Sequence, residues 1–162
     1  MAGRTAAGPG AEEAGGGLED VFETAFARLR GRIDVACADE GSWTARAVSG
    51  IRAAFSFAAD DPAAAQALTN EALAEGKEGF ARYDRMLEHF AAGLRPGREE
   101  RQGGELLPEI AERTMIGGLA VLIAQRLDSD CQAELPALAP EAIQFVLTPY
   151  LGDEEARRVA AS

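Results

Sequence analysis

The chain has 162 residues, 47% of them apolar, and a formal net charge of −11 from 27 acidic and 16 basic residues. This length suits one domain with a single core. The acidic balance argues against direct contact with nucleic acid or with an anionic membrane, because both are bound by clustered Lys and Arg. The two cysteines, Cys37 and Cys131, lack metal-like spacing. The sequence shows no signal peptide, so we expect a cytoplasmic protein in which both cysteines are reduced thiols.

Alanine is abundant and strand-favouring residues are sparse, so the composition predicts an all-α fold, a bundle of about six to seven helices. Residues 1–17 are rich in Gly and Ala and contain no face that could be buried, which predicts a disordered tail. Residues 18–162 are then expected to form one helical domain.

The first predicted helix starts near Leu18 and runs to about residue 36, with apolar residues at three- and four-residue steps. The second opens at Ser42, a good N-cap, and Trp43 is predicted to anchor the core. Asp61 is expected to cap a third helix, over residues 62–74, with Pro62 at its first position.

A fourth helix is predicted over residues 78–94, followed by a polar loop whose charged run, residues 98–101, should be solvated. The fifth covers residues 108–127. The next helix is expected to begin at Pro140, to kink or end at Pro149 and to be capped by Gly152, before a short last helix over residues 153–159.

Residues 114–124 of the fifth predicted helix carry no charge on any side. A helix that is apolar all round must be covered all round. Gly117 and Gly118 lie inside this stretch, and each costs about 1 kcal/mol relative to Ala in a helix. We therefore expect a close approach of another backbone at these glycines, and a second chain is a natural source of it.

No catalytic or metal-binding arrangement is evident, so we predict neither an enzyme nor a cofactor nor a metal site. The chain has one histidine, His89, between Glu88 and Phe90 on a predicted amphipathic helix. We expect this histidine at the surface or at the edge of a pocket, rather than as a catalytic base.

The aromatic and methionine side chains on the helix stripes have two interpretations, a plain core or the wall of an apolar cavity with a few polar groups. Asn70, Tyr83, Arg113, Thr114 and Gln125 could supply those polar groups. The candidate ligand-pocket residues are Phe26, Phe55, Asn70, Tyr83, Met86, Arg113 and Met115.

The order of several segments resembles the regulatory half of TetR/AcrR-type transcriptional regulators. These segments begin with Trp43, Phe57-Ala58-Ala59-Asp60-Asp61-Pro62 and Asn70-Glu71-Ala72-Leu73; further along are Leu107-Pro108, Gly117-Gly118-Leu119, Leu135-Pro136-Ala137-Leu138-Ala139-Pro140 and Leu147-Thr148-Pro149-Tyr150-Leu151-Gly152. The likeness covers residues 18–160 and rests on order and spacing, since no single motif is specific.

This resemblance implies a domain that binds a small, hydrophobic effector between its first five helices and forms a homodimer through its last two long helices. The implied dimer interface contains Ile116, Gly117, Leu119, Ala120, Ile123, Ile143, Val146, Leu147 and Tyr150.

The family's helix-turn-helix domain needs about 45–50 residues, whereas only residues 1–17 precede the first predicted helix. We therefore expect an effector-sensing domain, a truncated regulator without its own DNA-binding part. The alternative is a stand-alone helical interaction protein that pairs with a full-length relative.

Overall fold

The computed structural model describes residues 10–100 and 107–162, and these contain helices and no strand. The all-α prediction is therefore confirmed, with seven helices in the described part of the chain. Their bounds are α1 Gly10–Cys37, α2 Trp43–Asp60, α3 Pro62–Gln66, α4 Lys77–Leu94, α5 Ala111–Asp128, α6 Leu135–Leu151 and α7 Asp153–Ala160.

Shorter helical segments connect these elements. A π-helical turn, Ala67–Glu71, and an α-helical turn, Ala72–Ala74, continue α3 towards α4. The 3-10 helices Arg95–Glu100 and Gln132–Glu134 follow α4 and precede α6. The short 3-10 segments tighten the connections where the chain changes direction.

The helix caps are where the sequence predicts them. The Ser42 hydroxyl accepts a hydrogen bond from the Ala45 amide at 3.1 Å, and the Asp61 carboxylate accepts one from the Ala64 amide at 3.0 Å. Gly152 ends α6 with φ +82°, in the left-handed region where glycine is favoured. Trp43 is buried, as expected of a core anchor.

The first helix starts earlier than its sequence indicates. Its backbone is helical from Gly10, so residues 10–17 correct the prediction of a disordered tail from 1 to 17. Once one part of a helix has formed, each further residue adds one hydrogen bond at little cost, so the helical backbone can extend towards the N-terminus. The rest of the predicted tail, residues 1–9, lies outside the described residues.

Helix α6 also begins earlier, at Leu135 instead of Pro140, and it continues past Pro149 to Leu151. Leu135 and Ala139 are buried in the core, which compensates for the hydrogen bond lost at Pro140. The two prolines therefore do not mark the helix ends that the sequence suggested.

The core has two parts. One cluster packs α2 against α6 and α7, and it contains Phe55, Ile143 and Leu147. The second packs α1 against α3 and α4, around Phe22 and Leu68. Helix α2 contributes to both clusters, and it contacts α1 along one side and α6 along another.

Candidate functional site

A cavity of about 330 Å³ lies where the two core clusters meet. Its wall contains residues of α1, α2, α3, α4 and α5, the five helices that the resemblance implied for an effector pocket. Ligand pockets typically have volumes of about 300–1,000 Å³. This cavity is therefore large enough for a small ligand.

The interior of the cavity is apolar. Its wall contains Ile51 and Phe55 of α2, Met86 of α4, Ile123 of α5 and Leu68 of the π-helical turn. The buried hydroxyl of Thr69 is satisfied within the chain, because it donates to the Ala65 carbonyl at 2.8 Å. An apolar ligand group is thus the one that the interior favours.

The charged residues of the wall gather at the mouth. Arg30 and Asp34 of α1, Arg46 near the start of α2 and His89 of α4 line the cavity and are exposed. Phe26 lies beside this mouth, with its ring 5.5 Å from the His89 ring in an edge-on arrangement. The cavity therefore has an apolar interior and a charged, hydrated opening.

The two arginines at the mouth have no ion-pair partner in the described part of the chain. The Arg30 guanidinium lies over the Phe26 ring, 5.0 Å from its centre. Arg46 donates to the backbone carbonyl of Glu40 at 3.2 Å. Ten other arginines in the described residues form ion pairs with carboxylates.

Cys37 also lines the cavity, and it is partly buried. Its thiol donates to the Arg46 carbonyl at 3.3 Å. Burial raises the pKa of this thiol, Asp34 and Glu40 raise it further, and Arg46 opposes them. Cys37 therefore lies close to Asp34, Glu40 and Arg46, and its thiol can report on occupancy of the mouth.

Two of the seven predicted pocket residues, Phe55 and Met86, lie in the cavity wall. The other five do not line this cavity. Tyr83 and Met115 are buried in the two core clusters, and Phe26 stands outside the wall, next to His89 and Phe90.

The remaining two predicted residues, Asn70 and Arg113, are polar groups paired with other side chains. Asn70 donates to the Asp128 carboxylate at 2.6 Å, and Arg113 forms an ion pair with Asp84. Sequence reasoning missed Arg30, Asp34 and Cys37 because it followed apolar periodicity alone. Their positions at intervals of three and four residues place them on one face of α1, and this spacing was the available signal.

Four of the residues implied for a dimer interface are buried inside the chain. Ile143, Val146 and Leu147 are 0% exposed and Tyr150 is 2% exposed, all within the first core cluster. They pack against α2 and its neighbours, so they are not available to a second chain. Their assignment to the interface is corrected on this ground.

The α5 residues of that interface are less covered. Ile116, Leu119, Ala120 and Ile123 are partly buried and line the cavity. Gly117 is also partly buried. A Cβ at this position would lie 3.8 Å from the Leu87 side chain. These residues therefore face the interior of the chain.

The opposite side of α5 is exposed. Thr114, Gly118, Val121 and Gln125 share one stripe at intervals of three and four residues, and Val121 is 50% exposed. Of the uncharged residues 114–124, only Met115 is buried. The stripe is uncharged, and the described part of the chain does not cover it.

A buried ion pair holds the connection between α4 and α5. The Glu112 side chain is 1% exposed, and Arg98 donates to both of its oxygens, at 2.6 and 2.7 Å. Arg98 also donates to the carbonyls of Leu107 and Pro108, and Tyr150 donates to Glu112 at 3.2 Å. Arg98 is therefore not the solvated loop residue that the sequence suggested.

The neighbouring Gly97 is needed for close packing. A Cβ at this position would lie 2.3 Å from atoms of the Trp43 ring, which leaves no room for a side chain. The Trp43 indole N–H donates to the Gly93 carbonyl at 3.1 Å. The start of the predicted polar loop is thus a packed 3-10 turn, and residues 101–106 lie outside the described residues.

The described residues contain no group of three or more His, Cys, Asp or Glu side chains that could hold a metal ion. None of the helices in residues 10–100 and 107–162 is both long and apolar enough to cross a membrane.

Comparison of the chain with models of known protein families, with curated proteins and with solved structures gives no significant match.

Proposed function

We propose that the chain is an effector-binding regulatory domain of the kind found in TetR-type transcriptional regulators. In this proposal a small, largely apolar molecule binds in the cavity framed by α1 to α5. The observation that carries the proposal is the cavity itself, about 330 Å³ with an apolar interior and an opening to solvent. The sequence resemblance adds the regulatory role.

The proposal includes a homodimer formed through the outward sides of α5 and α6. Its support is the uncharged stripe on α5 together with Phe145 on α6, which is 57% exposed. Apolar side chains exposed on neighbouring elements commonly mark a protein interface. The four buried α6 residues take no part in this contact.

A neutral dye tests ligand binding in the cavity. We expect saturable binding of Nile red, with a fluorescence increase that reports an apolar environment. Gly50 lines the cavity, and a Cβ there would make ordinary contacts, 3.5 Å from Ile33 and 3.6 Å from Cys37. Gly50→Leu should fill part of the space and weaken dye binding about tenfold or more, which corresponds to about 1.4 kcal/mol.

Gly50→Ala is the matched control, because it makes the same change in helix propensity while adding one methyl group. It should keep most of the dye affinity. Val121→Lys is a second control, since it removes apolar surface outside the cavity. A folded Gly50→Leu variant that binds the dye as tightly as the unaltered chain would show that the cavity is not the binding site.

A further inference from the structure

The opening of the cavity carries a charge pattern that differs from the rest of the molecule. The chain has an acidic excess, with a net charge of −11. Most arginines in the described residues are paired with a carboxylate. The exceptions in this part of the chain are Arg30, Arg46 and Arg52, together with Lys77, and the first two line the cavity.

Unpaired arginines beside an apolar cavity have a chemical consequence. A guanidinium presents its N–H groups in a planar fork that matches a carboxylate. The Arg30 guanidinium lies over the Phe26 ring, 5.0 Å from its centre, and has no ion-pair partner in the described part of the chain. Arg46 uses one of its donors for the Glu40 carbonyl and keeps the others.

Among the described residues, Asp34 is the one carboxylate that lines the cavity, and its charge opposes those of the two arginines. His89 completes the charged and titratable groups of the wall that are exposed at the mouth. Glu40, whose charge acts on the Cys37 thiol of this wall, adds a second carboxylate, so two carboxylates stand beside the two arginines. The mouth therefore offers a ligand unpaired guanidinium N–H groups rather than a net charge, and an anionic acceptor forms the strongest hydrogen bonds with such groups.

We propose that the cavity binds an amphipathic anion, whose apolar chain occupies the interior and whose carboxylate is bound at the mouth by Arg30 and Arg46. This inference rests on the proposed function, because it assigns the head group of a ligand that the cavity must first accept. The ligand class is that of medium-chain carboxylic acids.

Three probes that share one apolar chain separate the head group from the cavity. Decanoate, decan-1-ol and decylamine are compared by displacement of Nile red, at concentrations below micelle formation. Decanoate should bind about tenfold more tightly than decan-1-ol, since a hydrogen bond to a charged group contributes about that factor. The difference in affinity between decanoate and decan-1-ol should become smaller at high salt, because salt screens charges at a solvent-exposed mouth.

Variants assign the effect to particular residues. Combined Arg30→Gln and Arg46→Gln should bring the affinity for decanoate down to that for decan-1-ol, and leave decan-1-ol binding unchanged. Asp34→Asn should strengthen decanoate binding, because it removes a like charge. Arg52→Gln is the matched control, since Arg52 is also exposed and unpaired among the described residues but does not line the cavity.

Alkylation of Cys37 gives an independent measure of occupancy in a Cys131→Ser background. Decanoate should slow the labelling of Cys37, which lines the cavity. Equal binding of decanoate and decan-1-ol, or tightest binding of decylamine with loss on Asp34→Asn, would overturn the anion assignment and leave the cavity proposal standing. Failure of all three probes and of the dye would instead overturn the proposed function itself.

Discussion

At the scale of single residues, the Arg98–Glu112 pair joins a guanidinium to a carboxylate whose side chain is 1% exposed. Burial of the Glu112 carboxyl favours its neutral form, but the hydrogen bonds from Arg98 and the positive charge of that residue outweigh this effect. The pKa of Glu112 is therefore held below its ordinary value of 4.5. A carboxyl group whose pKa is lower in the folded state stabilises the fold at pH values above its pKa in the unfolded state. It loses that contribution as the pH falls through its pKa in the folded state.

We predict that Glu112→Gln lowers the free energy of unfolding by about 3 kcal/mol at pH 7, since it leaves Arg98 without its partner carboxylate. Urea denaturation measures this change. The difference in unfolding free energy between the variant and the unaltered chain should become smaller as the pH falls below 4.5. Glu134→Gln is the control, because it breaks an exposed ion pair with Arg126 and should cost less than about 1 kcal/mol.

A loss of less than about 1 kcal/mol for Glu112→Gln at pH 7, or a loss that stays the same down to pH 3, would contradict this account of the pair.

The sequence could not have predicted this pair. Arg98 and Glu112 lie 14 residues apart, and residue pairing over such a distance depends on the path of the chain between them. Arg98 follows Pro96 and Gly97 in a charged run, a pattern typical of a solvated loop. Only the packing of Gly97 against Trp43 shows that the run begins inside the fold.

At the scale of elements, α5 divides into a side that faces the cavity and a side that faces solvent. The sequence predicted that residues 114–124 would need cover on every side, and that Gly117 and Gly118 would allow a close backbone approach. Against the described residues of the chain, neither glycine makes such an approach. A Cβ at Gly118 would meet nothing within 4 Å, and one at Gly117 would make an ordinary contact with Leu87.

The two glycines therefore offer a matched test of the proposed dimer. Each Gly→Ala substitution should stabilise the helix by up to about 1 kcal/mol. We predict that Gly117→Ala raises the melting temperature and leaves dimerisation unchanged, because this position faces Leu87. Gly118→Ala should instead weaken dimerisation, since the added methyl group lies on the exposed stripe. Sedimentation velocity over a range of concentrations measures the difference.

If both variants gain stability equally and neither changes the dissociation constant, no second backbone lies close to Gly118.

Some helix boundaries follow from the local sequence, and others depend on tertiary packing. The caps at Ser42 and Asp61 follow from side chains that hydrogen-bond nearby amides, and the sequence predicted both. The start of α6 depends on the burial of Leu135, which is a tertiary property. The prolines at 136 and 140 therefore indicated a loop where the core imposes a helix.

At the scale of the whole molecule, the cavity exists because the two core clusters leave space between them unfilled. The family resemblance implied a pocket between the first five helices, but only two of the seven pocket candidates, Phe55 and Met86, line the cavity. Whether an aromatic side chain faces a cavity or a core depends on rotations of a few tens of degrees about each helix. No periodicity in the sequence contains that information.

The proposed assembly can be tested with two valines that differ in position. Val121 is 50% exposed on the uncharged stripe of α5, and Val35 is 79% exposed on α1. A stable dimer would bury more than about 1,000 Å² in total, so a lysine at the centre of its interface should disrupt it. We predict that Val121→Lys converts a dimer to monomers at micromolar concentration, while Val35→Lys leaves it intact.

Light scattering measures the mass of each variant, and the melting temperature gives a second readout. Dimerisation that stabilises the fold makes the melting temperature rise with protein concentration, and Val121→Lys should abolish that dependence. Because the cavity lies on the inner side of α5, the same variant should still bind Nile red. A strictly monomeric unaltered chain, with Val121→Lys indistinguishable from Val35→Lys, would separate ligand binding from dimerisation and remove the dimer from the proposal.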